Sequence, residues 1–143
     1  MSAKFVGVGM RMVLITLLVG SPGCGICPPS PKGAGIKVTA SPRSGVGGPD
    51  ETDDIAGSVT GTKPAEARVV IYAHSGDRWW VQPLEDDPFT AIKSGLEWNS
   101  RIHLGFEYAA LLVHKSYTPP KQPMSLPPVE GCVWAMDIAK PRQ

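Results

Sequence analysis

The stretch ARVVIYAHSGDRWWVQ, residues Ala67–Gln82, carries the strongest indication of fold in this 143-residue sequence. It is rich in β-branched and aromatic residues, and a short turn signal, Ser75–Asp77, divides it into two runs. The pattern predicts a β-hairpin with a three-residue loop in which Gly76 takes a positive φ. Two antiparallel strands joined in this way are the local unit of an all-β fold.

The predicted hairpin register assigns the two adjacent tryptophans to opposite faces, because neighbouring side chains of a strand alternate. It sets Ala73 opposite Trp79 on the inner face and Tyr72 opposite Trp80 on the outer face. Trp79 is therefore predicted to be part of the core. Trp80, beside Arg78, has two interpretations: a flat platform on which a sugar stacks, or a ring covered by another layer of the protein.

The rest of the chain after Asp54 also follows a period of two, with short runs separated by turn residues. In the last run, Trp134, Met136 and Ile138 are predicted to face the core and Asp137 to face away. The predicted strands span residues 36–40, 54–61, 67–74, 78–82, 89–92, 96–104, 108–114 and 131–139. This pattern predicts an all-β, immunoglobulin-like antiparallel β-sandwich of about seven strands.

The amino terminus has the features of an export signal. Residues 1–23 combine two basic residues, no acid and the short apolar run VLITLLVG, which is too short to span a membrane. The following GSPGC resembles a bacterial lipoprotein signal, so Cys24 is predicted to carry a lipid. Ordinary cleavage giving a soluble periplasmic or secreted product is the alternative. Cys27 and Cys132 then remain as a possible disulfide pair in an oxidising compartment.

Three segments follow from these patterns: a signal peptide (1–23), a Pro/Gly-rich tether with a possible first strand (24–50), and the sandwich domain (51–143). The proline-rich stretch 116–131 is predicted to cross over one end of the sandwich, since proline favours extended connections. Recognition of this stretch by an aromatic-grooved partner is the alternative.

No catalytic centre, metal site or cofactor is predicted. The spacing of the three histidines matches no metal motif, no nucleophile elbow is present, and Cys24 and Cys27 lack the second ligand pair of a zinc site. Loop carboxylates at 50–54 and 85–87 suggest solvated charge, with a carboxylate-dependent hydrolase as the alternative. Removing residues 1–23 leaves 12 basic and 13 acidic residues, a balance that gives no indication of nucleic-acid binding.

Several short motifs between residues 55 and 135 resemble a type of small immunoglobulin-like β-sandwich domain found in exported bacterial proteins. They are DIAGSVTG, RVVIYAHSGDRWWVQP, PFTAI, the lone Trp98, HLGFEYAALLV, YTPP and LPPVEG. Some of these domains look like modules appended to carbohydrate-active enzymes. The resemblance implies the fold and export, and it implies no catalytic residues.

The combined expectation is a non-catalytic binding module of the cell envelope, held at a membrane by a lipid on Cys24. Its predicted ligand-binding face consists of Tyr72, Arg78, Trp80 and Trp98, because exposed aromatic rings beside polar groups suit a glycan. The alternative is a structural envelope lipoprotein that docks a protein partner.

Overall fold

The computed structural model describes residues 26–143, which form eight β-strands and no helix. The predicted signal peptide and the predicted lipid site Cys24 lie outside the described residues. No helix in the described residues has the length and hydropathy needed to span a membrane. The strands are β1 (Gly35–Ala40), β2 (Thr52–Thr60), β3 (Ala67–Ser75), β4 (Arg78–Gln82), β5 (Phe89–Thr90), β6 (Glu97–His103), β7 (Glu107–His114) and β8 (Val133–Ala139).

The strands form two antiparallel sheets packed face to face. The smaller sheet has the order β1-β2-β6, and the larger has the order β4-β3-β7-β8, with the short β5 pairing with β3 beside β4. The predicted all-β antiparallel sandwich is thereby confirmed.

The larger sheet is buried on both faces. Between the two sheets, Ile71 and Leu112 pack with Trp98 of β6 in the main core. On the outer face of the larger sheet, Val70 and Leu111 belong to a second apolar cluster. This explains why β7 is apolar at nearly every position, as expected for a strand covered on both sides.

The hairpin register differs from the predicted one by one residue. Ser75 pairs with Arg78, so the loop has two residues rather than three. Gly76, at φ +63°, stands at the first loop position, where a tight turn matching strand twist requires glycine.

The shorter loop exchanges the partners of the two tryptophans. Trp79 lies opposite His74, and Trp80 lies opposite Ala73. Trp79 is buried as predicted, but in the outer cluster with Tyr72 rather than between the sheets. Trp80 therefore stands on the inner face of an edge strand, and the predicted Tyr72–Trp80 pair is wrong.

A bulge changes the predicted faces of β8. Leu112 pairs with Ala135 and Val113 pairs with Val133, which leaves Trp134 as the extra residue. Trp134 is buried in the main core as predicted. Beyond the bulge the alternation is reversed: Met136 packs against the outer cluster, Ile138 is half exposed and Asp137 faces β1, so the predicted faces of these three residues are wrong.

The proline-rich stretch 116–131 lies along β4 and over the outer cluster instead of crossing one end of the sandwich. The backbone nitrogens of Trp79 and Val81 donate to the carbonyl oxygens of Pro123 (2.9 Å) and Lys121 (3.0 Å). Prolines have no N–H to offer a further strand, so the sheet ends here. We call residues 116–131 the crossover segment.

The described part of the predicted tether is attached to the folded body. Its possible first strand is β1, which pairs with β2. Before β1, a disulfide joins Cys27 to Cys132 with their Cα atoms 5.1 Å apart, and the indole nitrogen of Trp134 donates to the carbonyl of Pro28. The chain is therefore tied to the sandwich from Cys27 onward.

Candidate ligand-binding groove

A groove of about 300 Å³ opens at one end of the sandwich. Three elements meet there: the β3–β4 hairpin, the end of β6 and the loop that joins β1 to β2. We call this site the Trp80 groove. Its lining residues are Val46, Gly47, Gly48, Ala73, Ser75, Trp80, Gln82, His103 and Leu104.

Trp80 forms one wall of the groove. Its side chain is 39 % exposed, whereas the other three tryptophans of the chain are nearly fully buried. The indole Nε1 donates to the carbonyl oxygen of Ser75 at 3.2 Å, and this contact fixes the orientation of the ring. Its cross-strand partner on β3, Ala73, contributes only a methyl group, so no bulky partner on the neighbouring strand covers the ring. A flat aromatic face is thus available to a ligand.

Gln82 and His103 form a hydrogen-bonded pair at the base of the groove. The Gln82 side chain is buried, and its Oε1 accepts hydrogen bonds from the His103 backbone nitrogen at 3.0 Å and from Nδ1 at 3.1 Å. An amide oxygen can only accept, so Nδ1 carries the hydrogen and Nε2 of the neutral ring is an acceptor. Among the described residues, nothing in the structure hydrogen-bonds to His103 Nε2.

The β1–β2 loop forms the opposite wall and is firmly held. The hydroxyl of Ser75 donates to the carbonyl of Val46 at 2.7 Å, and Gly47 has φ +80°. A Cβ on Gly47 would stand 2.9 Å from the carbonyl oxygen of Leu104, so a larger residue would disturb this wall.

Tyr108 secures the base of the same loop. Its hydroxyl donates to the carbonyl of Arg43 at 2.7 Å and accepts from the backbone nitrogen of Gly105 at 2.9 Å. Burial raises the pKa of the Tyr108 hydroxyl above its ordinary value. The groove is therefore formed by elements that are held in place before any ligand binds.

The polar groups that line the groove are uncharged. Its polar groups are an amide, an imidazole, a hydroxyl and backbone groups of a glycine-containing loop, set against the apolar surfaces of Trp80 and Leu104. No lysine, arginine, aspartate or glutamate lines it. Such a site suits a small ring with an apolar face and hydroxyl groups at its edge.

The structure does not bring the four predicted ligand residues onto one face. Trp80 lines the groove. Arg78 is bound elsewhere, since its Nη1 donates to the carbonyl of Gln122 at 3.2 Å. Tyr72 is fully buried and its hydroxyl donates to the carbonyl of Pro120 at 2.7 Å, so burial raises its pKa.

Trp98 lies in the smaller sheet and is 1 % exposed. Its ring packs against Gly57, which is its partner on β2 and has no side chain to displace it. The expectation of one ligand face with Tyr72, Arg78, Trp80 and Trp98 is therefore wrong for Tyr72 and Trp98, whose rings are inaccessible. Tyr72 lies on the outer face as predicted, but the crossover segment covers that face, and the one-residue change in the hairpin register places Trp80 on the other face.

Sequence reasoning missed Ser75 and His103 as groove residues. The sequence does place Gln82 beside Trp80, because the two residues are two positions apart and share one face of any strand. His103 lies in the other sheet, 21 residues from Gln82. No local pattern connects the two residues, and only the packing of the sheets does.

Four of the carboxylates predicted as solvated charge, Asp53, Asp54, Glu85 and Asp86, are paired with cations, and none of the seven lines the groove. Asp53 accepts from the backbone nitrogen of Arg43 and from Arg142 Nη2, both at 2.9 Å. The hydrogen bond from the Arg43 backbone is the main cause that lowers the Asp53 pKa below its ordinary value of 3.8. Glu85 and Asp86 both lie within 4 Å of Lys121 on the crossover segment.

No group of three or more histidine, cysteine, aspartate or glutamate side chains within residues 26–143 could hold a metal ion. No protein-family model, curated protein or solved structure matches the chain. Among the described residues, the Trp80 groove carries the clearest indication of function.

Proposed function

We propose that the protein is an exported, non-catalytic binding module that holds a carbohydrate in the Trp80 groove and is attached to a membrane by a lipid on Cys24. The observation that carries this proposal is a half-exposed indole facing neutral polar groups in one preformed groove. The export signal and the lipoprotein-like GSPGC support its place in the cell envelope.

A sugar ring fits this arrangement because it has both kinds of surface. The C–H groups on one side of a pyranose stack on the face of Trp80, and hydroxyl groups at the ring edge reach His103 and Gln82. His103 Nε2 accepts a hydroxyl hydrogen, and the Ser75 hydroxyl can accept another. A buried amide holds His103 in position, so little ordering is needed on binding.

The proposal includes an immunoglobulin-like identity for the sandwich. Immunoglobulin-type sandwiches place strands A, B and E in one sheet and C, F and G in the other. The orders β1-β2-β6 and β8-β7-β3-β4 have this arrangement if β4 is the additional strand beside C. Tyr108 at the start of β7, bonded back to Gly105, resembles the tyrosine corner of such folds.

The test is a pair of substitutions at adjacent tryptophans. Trp80→Ala is expected to lower affinity for the best-retained polysaccharide in a panel of chitin, cellulose, xylan and peptidoglycan by about tenfold, or about 1.4 kcal/mol. Trp80→Phe should keep part of the affinity, because a ring remains. The melting temperature should change little in either variant, since Trp80 is the most exposed tryptophan in the described residues.

Trp79→Phe is the matched control. Trp79 is 8 % exposed and stacks on His74 on the opposite face of the sheet, with ring centroids 4.6 Å apart. This variant should lose stability and keep binding. If Trp80→Ala bound polysaccharide as well as the wild type, or if no polysaccharide in the panel were retained, carbohydrate binding in this groove would be rejected.

The second candidate function is docking of an envelope protein, and two exposed apolar side chains favour it. Phe106 is 51 % exposed and Ile138 is 50 % exposed, both toward the end of the sandwich that carries the groove. Cross-linking in cells that recovers one dominant partner, lost on Ile138→Asp, together with no retention on the polysaccharide panel, would support this role.

A further inference from the structure

The Trp80 groove and the Cys27–Cys132 disulfide lie at opposite ends of the sandwich. At one end, the backbone nitrogen of His114 donates to the carbonyl of Cys132, and His114 pairs with Ala67 at the start of β3. β3 then runs nine residues to Ser75, which lines the groove. At about 3.3 Å per residue, the two ends are separated by roughly 26 Å.

The disulfide shortens the stretch of chain that connects Cys24 to the folded domain. Because Cys27 is joined to Cys132, only three residue steps separate Cys24 from the folded body, and these span at most about 10 Å. If the chain were held only from the start of β1 at Gly35, eleven steps would separate Cys24 from the sandwich, or about 37 Å. The longer connection would allow either end of the domain to approach the membrane.

We infer that the anchored domain stands with its disulfide end at the membrane and its Trp80 groove pointing away, so that its ligand is a glycan of the cell wall rather than a lipid headgroup. This inference rests on the proposed function, because it assumes the lipid on Cys24 and carbohydrate binding. A connection of about 10 Å is shorter than the roughly 26 Å between the two ends. The domain therefore cannot invert and rest its groove end on the bilayer that holds the lipid.

The chemistry of the groove agrees with this orientation. A phospholipid headgroup carries a charged phosphate, which proteins commonly bind with lysine or arginine. The groove has neither lysine nor arginine in its lining. An uncharged ring of a wall glycan needs only the aromatic face and neutral hydrogen-bonding groups that are present.

Energy transfer from tryptophan to dansyl-labelled lipid tests the orientation. The mature chain is coupled through the Cys24 thiol to maleimide lipid in phosphatidylcholine vesicles, which preserves the natural connection. Trp134, whose Nε1 bonds to Pro28, marks the disulfide end, and Trp80 marks the groove. The Trp134→Phe substitution should remove at least twice as much energy transfer to the dansyl lipid as the Trp80→Phe substitution.

Reduction provides the matched control, because the thioether to lipid survives a reductant that cleaves the disulfide. After reduction, or in Cys27→Ser/Cys132→Ser, the difference between the two tryptophan variants should shrink. An equal or larger loss of transfer in Trp80→Phe with the disulfide intact would overturn the orientation.

Co-sedimentation with purified peptidoglycan tests the ligand. Vesicles carrying the coupled protein should sediment with peptidoglycan, and Trp80→Ala should reduce the sedimented fraction about tenfold. If the free protein bound peptidoglycan and the vesicle-coupled protein did not, the outward orientation of the groove would be rejected. The proposal that the groove binds carbohydrate would be retained. If neither bound peptidoglycan, the wall-glycan ligand would be rejected, and the polysaccharide panel would decide the proposed function separately.

Discussion

Trp79 and Trp80 show how much a single backbone step can change the role of a residue. Both are tryptophans in the same five-residue strand, but Trp79 is 8 % exposed under the crossover segment and Trp80 is 39 % exposed at the groove. The difference arises because side-chain direction reverses at each residue and because β4 is an edge strand. The outer face of β4 is covered by chain 40 residues later, while its inner face extends to the mouth of the groove.

Asp53 shows a second effect at the residue scale, in which one carboxylate holds two distant parts of the chain. It receives hydrogen bonds from Arg43 in the β1–β2 loop and from Arg142 near the carboxyl terminus, and its side chain is 16 % exposed. Charged acceptors make stronger hydrogen bonds than neutral ones. The loop that forms one wall of the groove therefore depends on the ionised form of Asp53.

Asp53→Asn is expected to lower the free energy of unfolding at pH 7 by about 1 kcal/mol. The folded-state pKa of Asp53 is lower than its ordinary value, so its stabilising contribution is complete above about pH 5 and is lost as the pH falls through the folded pKa. Urea unfolding at a series of pH values should show the difference between wild type and variant disappearing in acid.

Asp54→Asn is the control for this prediction. Asp54 is the next residue, and its exposed side chain forms a surface ion pair with Arg101 at 3.4 Å. Exposed pairs contribute little, so the unfolding free energy should change by less than about 0.5 kcal/mol. A difference that persisted unchanged to pH 2 in Asp53→Asn would show that ionisation is not the cause.

At the scale of elements, the crossover segment completes the larger sheet. It accepts hydrogen bonds from two backbone nitrogens of β4 and contributes Tyr117 and Leu126 to the outer apolar cluster. An open edge strand would offer its N–H groups to other chains, and proline-rich backbone covers them without extending the sheet. The segment therefore acts as a structural cover, and the side of β4 facing the groove stays open.

Tyr72→Phe tests this account of the crossover segment. The Tyr72 hydroxyl bonds to the Pro120 carbonyl, so its loss should lower the unfolding free energy by about 1–2 kcal/mol and leave polysaccharide binding unchanged. Gln122→Ala, at an exposed residue of the same segment, should change stability by less than about 0.5 kcal/mol. Reduced polysaccharide affinity in Tyr72→Phe would contradict this account and support the predicted role of Tyr72 in ligand binding.

The same substitution affects the stability of the protein in alkali. Burial, reinforced by the nearby Tyr117, raises the pKa of Tyr72 above its ordinary value of 10.0. The stabilising effect of the neutral hydroxyl is complete below about pH 10 and is lost as the pH rises further. Unfolding free energies of Tyr72→Phe should therefore fall less steeply above pH 10 than those of the wild type.

At the scale of the whole molecule, the segments that lead into the first and last strands, together with those strands, are tied together on the same side of the sandwich. The disulfide joins residues 105 positions apart, and Asp137 of β8 accepts from the backbone nitrogen of Val38 in β1. β1 and β8 belong to different sheets, so these contacts close one side of the sandwich. A long loop closed by a disulfide restricts the unfolded chain strongly.

Cys27→Ser/Cys132→Ser is expected to lower the unfolding free energy by about 2–4 kcal/mol. The groove lies at the other end of β3, so polysaccharide affinity measured well below the melting temperature should be unchanged. Treating the wild type with a reductant should reproduce the loss, and the double variant should not respond to it. A variant as stable as the wild type would show that the bond contributes only to the orientation of the domain.

The sequence by itself determined the strands, because local alternation and turn residues specify them. β3, β4 and β7 lie within one or two residues of their predicted spans, and so does β1. The sequence predicted less accurately which face of each strand is buried. A two-residue turn at Gly76 and a bulge at Trp134 each shift side-chain direction by one position, and a shift of one residue exchanges the two faces of a strand.

Only the tertiary structure decided which residues form the groove. Trp80, His103 and Val46 come from an edge strand, the opposite sheet and a long loop, and no spacing along the chain relates them. The same is true of the cover over Trp79, which comes from the crossover segment. Strand formation depends on neighbours in sequence, whereas exposure of a side chain depends on what the rest of the folded chain leaves uncovered.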